Sequence, residues 1–213
     1  MGRNLEKDAI EMAAKNQRIM ENGFRVFAEN TIEKVTMADV AKAANIGVAS
    51  LYRYYSTKPK LVMAISTWIW GEYYKAYSQK QPPKSRPVRT AAQDYGLFLE
   101  AFLDLYRERR DILRFNQFFN VYLKSVDISE EEIRPYREMI RALEAQFEKL
   151  YQRGQADGTL RADIPVKQMF SASLHLMLAA VTRYAVGLVY NDGIDPEEEL
   201  RMQKEMLIKR FTI

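Results

Sequence analysis

Apolar residues recur at spacings of three and four along nearly the whole chain and show no strand-like alternation, so the pattern predicts helices and no sheet. The first helix spans about Glu6 to Asn30, with Ile10, Ala13, Ala14, Met20, Phe24, Phe27 and Ala28 as its inner side. Two short helices follow. Thr36 caps the first of them, and its apolar stripe of Val40, Ala41 and Ala44 is narrow enough for another helix to cross close by. Asn45 stands where that helix must stop, and asparagine tolerates the left-handed backbone such a stop requires. In the turn Asn45-Ile46-Gly47, Ile46 plugs the angle and Gly47 opens the second short helix, which buries Leu51 and Tyr55 one turn apart. Thr57 caps a fourth helix, with Lys58 and Pro59 in its first turn. It runs to about Lys80, where Lys-Gln-Pro-Pro-Lys-Ser-Arg-Pro cannot continue it and reads as an exposed loop.

The same period predicts helices over Thr90 to Arg110, through Tyr95, Phe98, Phe102, Leu105 and Tyr106, and over Asp111 to Ser125, through Phe115, Phe118, Phe119 and Tyr122. Ser129 and Glu132 form a capping box, and Pro135 is expected to restart the helix that it opens. Tyr136, Ile140, Leu143, Phe147, Leu150 and Tyr151 then mark a core helix that Gly158 ends. A last helix starts from a second capping box at Asp195-Pro196-Glu197-Glu198 and has Leu200, Gln203, Met206, Leu207 and Phe211 as its inner face.

Gln168 to Tyr190 is apolar nearly all round and raises the question of a membrane span. His175 and Arg183 fall inside it, where a central charge costs about 2.5 to 3.5 kcal/mol, so burial in protein and no membrane is the expectation. One copy of such a helix leaves a face in water, because the last helix has only one inner face to offer it. This predicts a homodimer in which two such helix pairs meet as a four-helix bundle, with Leu178 and Val181 in the interface. Ser171, Ser173, Ala179, Ala180 and Ala185 are small enough for the close approach.

The second short helix carries the most distinctive face of the chain. Val48, Ala49, Ser50, Tyr52 and Arg53 point away from Leu51 and Tyr55, near the end that a helix-turn-helix protein pushes into the major groove. The order I-x7-F-A-x7-T-x2-D-V-A-x2-A-x-I is met by Ile19, Phe27, Ala28, Thr36, Asp39, Val40, Ala41, Ala44 and Ile46. The order S-L-Y-x-Y-Y-x2-K-x2-L follows in Ser50, Leu51, Tyr52, Tyr54, Tyr55, Lys58 and Leu61. Together they resemble the DNA-binding region of the TetR family of bacterial transcriptional regulators, over about the first quarter of the chain. Thr31, Asn45 and Ala49 stand where the family has glycine, and Gly47 where it has serine or threonine. Gly47 is the costliest departure, since it removes a capping hydroxyl able to bond a phosphate.

The resemblance implies an all-α chain with an N-terminal three-helix helix-turn-helix DNA-binding domain over residues 1–57 and a larger helical ligand-binding and dimerisation domain over 58–213. It implies a transcriptional regulator, most often a repressor, that a small apolar or aromatic effector releases from a near-palindromic double-stranded DNA operator. Carried onto this sequence, Val48, Ala49, Ser50 and Tyr52 face base edges, and Thr36, Tyr52, Tyr54 and Lys58 hold phosphates, with Gly47 and Arg53 in the same contact set. Arg3, Lys7, Lys15 and Arg18 read either as a phosphate-contacting arm or as a solvated face.

Charge and composition narrow the chemistry. A chain of 213 residues, 47% hydrophobic and 28% charged, buries a real core in one or two domains. Residues 1–60 hold 10 Lys and Arg against 7 Asp and Glu, leaving 22 against 21 for the remainder, so +3 of the net +4 sits with the motif that would meet phosphates. The absence of cysteine excludes disulfides, thiol nucleophiles and thiolate metal sites, and is compatible with a reducing cytoplasm. The polar start from Met1 to Lys7 predicts no signal peptide. A single histidine excludes a multi-histidine metal site, and neither a P-loop nor G-x-G-x-x-G occurs. The glutamate runs 130–132 and 197–199 open helices, where capping accounts for them. No enzyme, metal or cofactor is expected. Trp68, Phe98, Phe102, Phe118, Tyr122, Phe147 and Tyr151 are candidates for an effector pocket, although aromatics at helical spacing read first as core. His175, read first as a hydrogen-bonded core or interface histidine, completes that set. The competing class is a helical small-molecule carrier whose helix-turn-helix does not engage DNA.

Overall fold

The computed structural model describes residues 5–80, 89–189 and 193–213. Among them the chain is all-α: α1 (Leu5–Glu29), α2 (Met37–Ala43), α3 (Val48–Tyr54), α4 (Lys58–Lys80), α5 (Ala91–Glu108), α6 (Arg110–Ser125), α7 (Glu130–Asp157), α8 (Val166–Ala185) and α9 (Pro196–Phe211). One isolated antiparallel bridge joins Leu160 to Thr212. Arg3, the Pro-rich loop after Lys80 and Tyr190 lie outside the described residues.

The helices group into two compact units, Met1–Tyr74 with Arg114–Tyr136, and Lys75–Leu113 with Arg137–Ile213. Packing therefore draws its line elsewhere than residue 57, because most of α4, most of α6 and the start of α7 close over the same core as α1–α3. In this first unit Ile19, Phe24, Phe27, Val40, Leu51, Leu61, Ile65, Phe115 and Phe119 are buried. The Phe24 ring lies 5.4 Å from Phe115 and 6.5 Å from Trp68. The inner side of α1 begins only at Ile19. Ile10 is 64% exposed and Ala13 and Ala14 are open as well, contrary to the expected stripe. The helices covering α1 meet it further along, at Gly23, where an added Cβ would lie 2.6 Å from Ile65 and 3.4 Å from Val40.

The second unit is built on α5 against α8 and α9. Tyr95 is fully buried, its hydroxyl shares a 2.7 Å hydrogen bond with Ser173, and burial pushes its phenol well up. The Phe147 ring packs edge-on against Tyr95 and Phe98, with centroids 6.1 and 5.1 Å away, and lies tilted 5.3 Å from Phe170. Thr90 caps α5 in a reciprocal box with Gln93. The next free amides of that helix are met from the end of α7: Ala91 N donates to Asp157 Oδ2 at 2.7 Å and Ala92 N to Thr159 Oγ1 at 3.1 Å. The Thr159 hydroxyl, then the Ala91 amide, hold the Asp157 carboxyl below its ordinary 3.8. A depressed carboxyl stabilises the fold above its unfolded pKa and loses that contribution as pH falls through the folded value. Asp157→Asn is therefore expected to melt below the parent near neutral pH, with the gap closing as pH drops below 3.8. A gap that stays constant into acid would show that the charge plays no part.

Further expectations need correcting. Helix α7 runs unbroken through Pro135, which is exposed in its second turn and forfeits only one backbone bond there. That helix is a half-buried surface helix, not a core helix. Phe147 and Gly154 are its buried residues, while Tyr136, Ile140, Leu143, Leu150 and Tyr151 are covered on one side only. Helix α8 starts at Val166 and stops at Ala185, with Gly187 at φ +74° just beyond. It buries Met169, Phe170, Ser173, Met177, Val181 and Thr182 within the single chain, so Val181 is core and Leu178 half-buried. His175 is exposed beside Ser171 at 3.2 Å, which removes it from the core. The last helix is capped by Asp195 accepting from Glu197 N at 3.0 Å instead of through Glu198, and Met206 is 64% exposed instead of facing inward.

Candidate nucleic-acid interface

The interface is assembled by caps and one backbone reversal. Thr36 Oγ1 accepts from Asp39 N at 3.2 Å, while Thr36 N and its hydroxyl donate to Asp39 Oδ2 at 2.8 and 2.6 Å. That hydroxyl is the main reason the Asp39 carboxyl lies below its usual range. Helix α2 is closed just beyond its C-cap by Asn45, whose φ of +53° lets Ile46 N return to Ala41 O at 3.0 Å. Gly47 then serves as N-cap through its carbonyl, which accepts from Ser50 N at 2.9 Å and Leu51 N at 3.1 Å, with no side-chain cap.

Helix α3 is held on one side and open on the other. Leu51 is fully buried, whereas Val48 and Tyr52 are 41% and 49% exposed and Ala49 and Arg53 are open beside them. Ser50 is half-buried and its Oγ accepts from the Arg53 guanidinium at 2.9 Å. Tyr54 is half-buried. The far end of α3 is pinned to α1 by Tyr55, whose hydroxyl donates to Asn16 Oδ1 at 2.8 Å; burial raises that phenol. Asn16 was not singled out in the sequence, yet its place between Ala13 and Met20 on the apolar side of α1 is the signal for such a bond. Lys58 is drawn inward. Its ammonium donates to the Glu33 carbonyl at 3.2 Å, lies 5.5 Å over the Tyr122 ring, and is pushed down by desolvation.

The eight candidates for a ligand site do not converge. Phe98, Phe102 and Phe147 come together in the second unit, and Phe98 and Phe147 line a cavity of about 270 Å³ with Asp94, Leu143, Gln146, Lys149, Leu150 and Arg153. Trp68 belongs to the first unit and lines a separate cavity of about 590 Å³. Phe118 and Tyr122 are on α6 in that same unit, with Tyr122 buried beneath Lys58. Tyr151 spends its hydroxyl on Ile164 O at 2.8 Å, and His175 faces outward.

The family model for bacterial regulatory proteins of the tetR family matches residues 19–65, from the buried half of α1 through α2 and α3 into α4. Over these residues the chain carries the DNA-binding region of the TetR family. The chain is similar to HTH-type transcriptional repressor KstR2 of Mycolicibacterium smegmatis, 21% identical over 164 residues that are 74% of this chain and 73% of that protein. HTH-type transcriptional regulator SAB2452 of Staphylococcus aureus is 39% identical over 57 residues, 27% of this chain and 29% of that protein. Among solved structures, the transcriptional regulator FadR from Bacillus subtilis in complex with stearoyl-CoA shares the fold, with a TM-score of 0.69 over 91% of this chain and 97% of that one at 15% identity. Like them, this chain is read as a transcriptional regulator, and no described helix is long and apolar enough to cross a membrane.

Where this sequence departs from the TetR pattern, the backbone gives the reason at one position. Asn45 occupies a glycine place at φ +53°, a region costing most residues about 1 to 2 kcal/mol. Asn45→Gly is expected to gain up to about 1 kcal/mol and Asn45→Val to lose about 1 to 2 kcal/mol, read from denaturant midpoints. An Asn45→Val protein as stable as the parent would contradict the strained cap.

Proposed function

We propose that the chain is a ligand-responsive repressor that binds near-palindromic double-stranded DNA as a homodimer, with residues 1–57 meeting the DNA and residues 58–213 binding the effector and forming the dimer. The observation that carries this reading is the open face of α3, where Val48, Ala49 and Tyr52 are exposed around a helix anchored by fully buried Leu51. Val48 and Ala49 suit thymine methyls, and Ser50 and Tyr52 offer hydroxyls to base edges. Gly47, Thr36, Tyr54 and Arg53 lie where phosphates pass, and Lys58 reaches one by exchanging the Glu33 carbonyl for it.

Leu176 and Ala179 on α8, with Met202 and Met206 on α9, give the homodimer its surface. The effector's apolar or aromatic body is assigned to the cavity beside Phe98 and Phe147, with Phe102 behind them in the ring cluster. A protein of this fold in complex with stearoyl-CoA supports an apolar effector. Tyr151 and His175 belong to the same unit without lining that cavity, whereas Trp68, Phe118 and Tyr122 fall in the other one and drop out of this pocket. The chain acts without catalysis and in the cytoplasm. Recovery of genomic fragments on the purified protein tests the reading: enriched fragments should share a near-palindrome with half-sites about one helical turn apart. A carrier that does not engage DNA would enrich none.

A further inference from the structure

We propose that the groove beside the end of α3 is a second binding site, for an amphipathic organic cation. The cavity measures about 590 Å³, within the roughly 300 to 1,000 Å³ that small ligands occupy, and its lining lies wholly in the unit that holds α1–α3. It is distinct from the effector cavity, which belongs to the other unit. Its apolar wall combines buried Met20 and Met63 with half-buried Trp68. Methionine side chains adapt to the occupant, so the wall accepts an aliphatic or planar body without fixing one shape.

The polar rim selects the charge. Glu131 and Glu132 face one lysine, Lys60, leaving an excess of one negative charge. Glu132 accepts from Ser129 N at 3.0 Å and its own amide donates to Ser129 Oγ at 3.3 Å, so two of the amide donors that would attract an anion to the start of α7 are already in use. The Ser129 amide, and after it the Ser129 hydroxyl donating to the same carboxylate oxygen at 2.9 Å, keep the Glu132 carboxyl below its ordinary range and therefore charged. A cationic head finds the exposed Glu131 and the half-buried Trp68 indole on the same lining. Tyr55, the C-cap of α3, lines the cavity too, so an occupant touches the end of the DNA-facing helix. A ligand preferring one placement of that cap changes DNA affinity, and bound DNA changes ligand affinity by the same factor.

The test titrates the full chain with decyltrimethylammonium below its micellar range, and with decanoate as the anion of matching length, by calorimetry and tryptophan fluorescence. The cation should bind saturably and roughly tenfold or more tightly than decanoate, and Glu131→Gln, at an exposed position, should weaken it about three- to tenfold with unchanged circular dichroism. Saturating DNA should shift the cation's dissociation constant. Equal binding of decanoate, no saturable binding, or a Glu131→Gln protein that binds the cation like the parent would overturn the site. An unshifted constant with DNA bound would overturn the coupling.

Discussion

Leu176→Glu combined with Met206→Glu should yield a monomer that keeps its helical content and binds DNA about 100-fold or more weakly. Both side chains stand mostly in water in the single chain, at 57% and 64% exposure, so a carboxylate there costs the isolated fold little. In a two-fold interface each substitution is met twice, and unpaired charges buried at such a contact cost several kcal/mol. DNA affinity falls with the dimer because one protomer then holds one half-site. Mass in solution at low micromolar concentration, with DNA binding on the same sample, reads both effects. Val181→Glu is the contrasting variant: Val181 is fully buried within one chain, so that change should unfold the protein instead of dividing it. A Leu176→Glu, Met206→Glu protein that remains dimeric would place the interface elsewhere.

Gly154→Ala is expected to cost about 3 kcal/mol, which for a chain of this size is roughly 6 to 12 °C in Tm. An added Cβ would stand 2.3 Å from Leu160 Cδ1 and Cγ and 2.6 Å from its Cβ, so the root of that side chain, not a movable tip, is in the way. Leu160 has nowhere to retreat. It is buried, its amide bonds Gly154 O at 3.3 Å, and its neighbours are stitched to the C-terminus by Arg161 N to Phe211 O at 3.0 Å and Ile213 N to Thr159 O at 3.1 Å. Gly23→Ala supplies the comparison, since its closest contact is Ile65 Cδ1, the far end of a flexible side chain. Denaturant unfolding of the two should rank Gly154→Ala clearly below Gly23→Ala. Equal stability would contradict the rigid packing of Leu160.

What the sequence made legible was local. Thr36 as a cap, Ser129 with Glu132, and Asn45 at positive φ each depend on residues within a few positions, and each is found as read. The outward face of α3 was legible for the same reason, since Leu51 fixes its phase. Periodicity tells which residues share a face, not how far along a helix that face is covered. It therefore placed Ile10 and Met206 inside, read α7 as core, and could not separate buried Val181 from exposed Leu176. Nor does any local pattern say which aromatics meet across helices, so Trp68 and Phe98 were grouped although they line cavities in different units. The Tyr55–Asn16 bond and the inward turn of Lys58 to Glu33 span 39 and 25 positions and belong to the same class of long-range fact.

Affinity for an enriched DNA fragment, followed from low to high salt, is the most direct measure of whether α3 and its flanks meet a phosphate backbone. About six or more phosphate contacts would release counterions and give a slope of log affinity against log salt of roughly −5 or steeper. A slope near zero, or no binding at low salt, would contradict DNA recognition and leave a helical small-molecule carrier in its place.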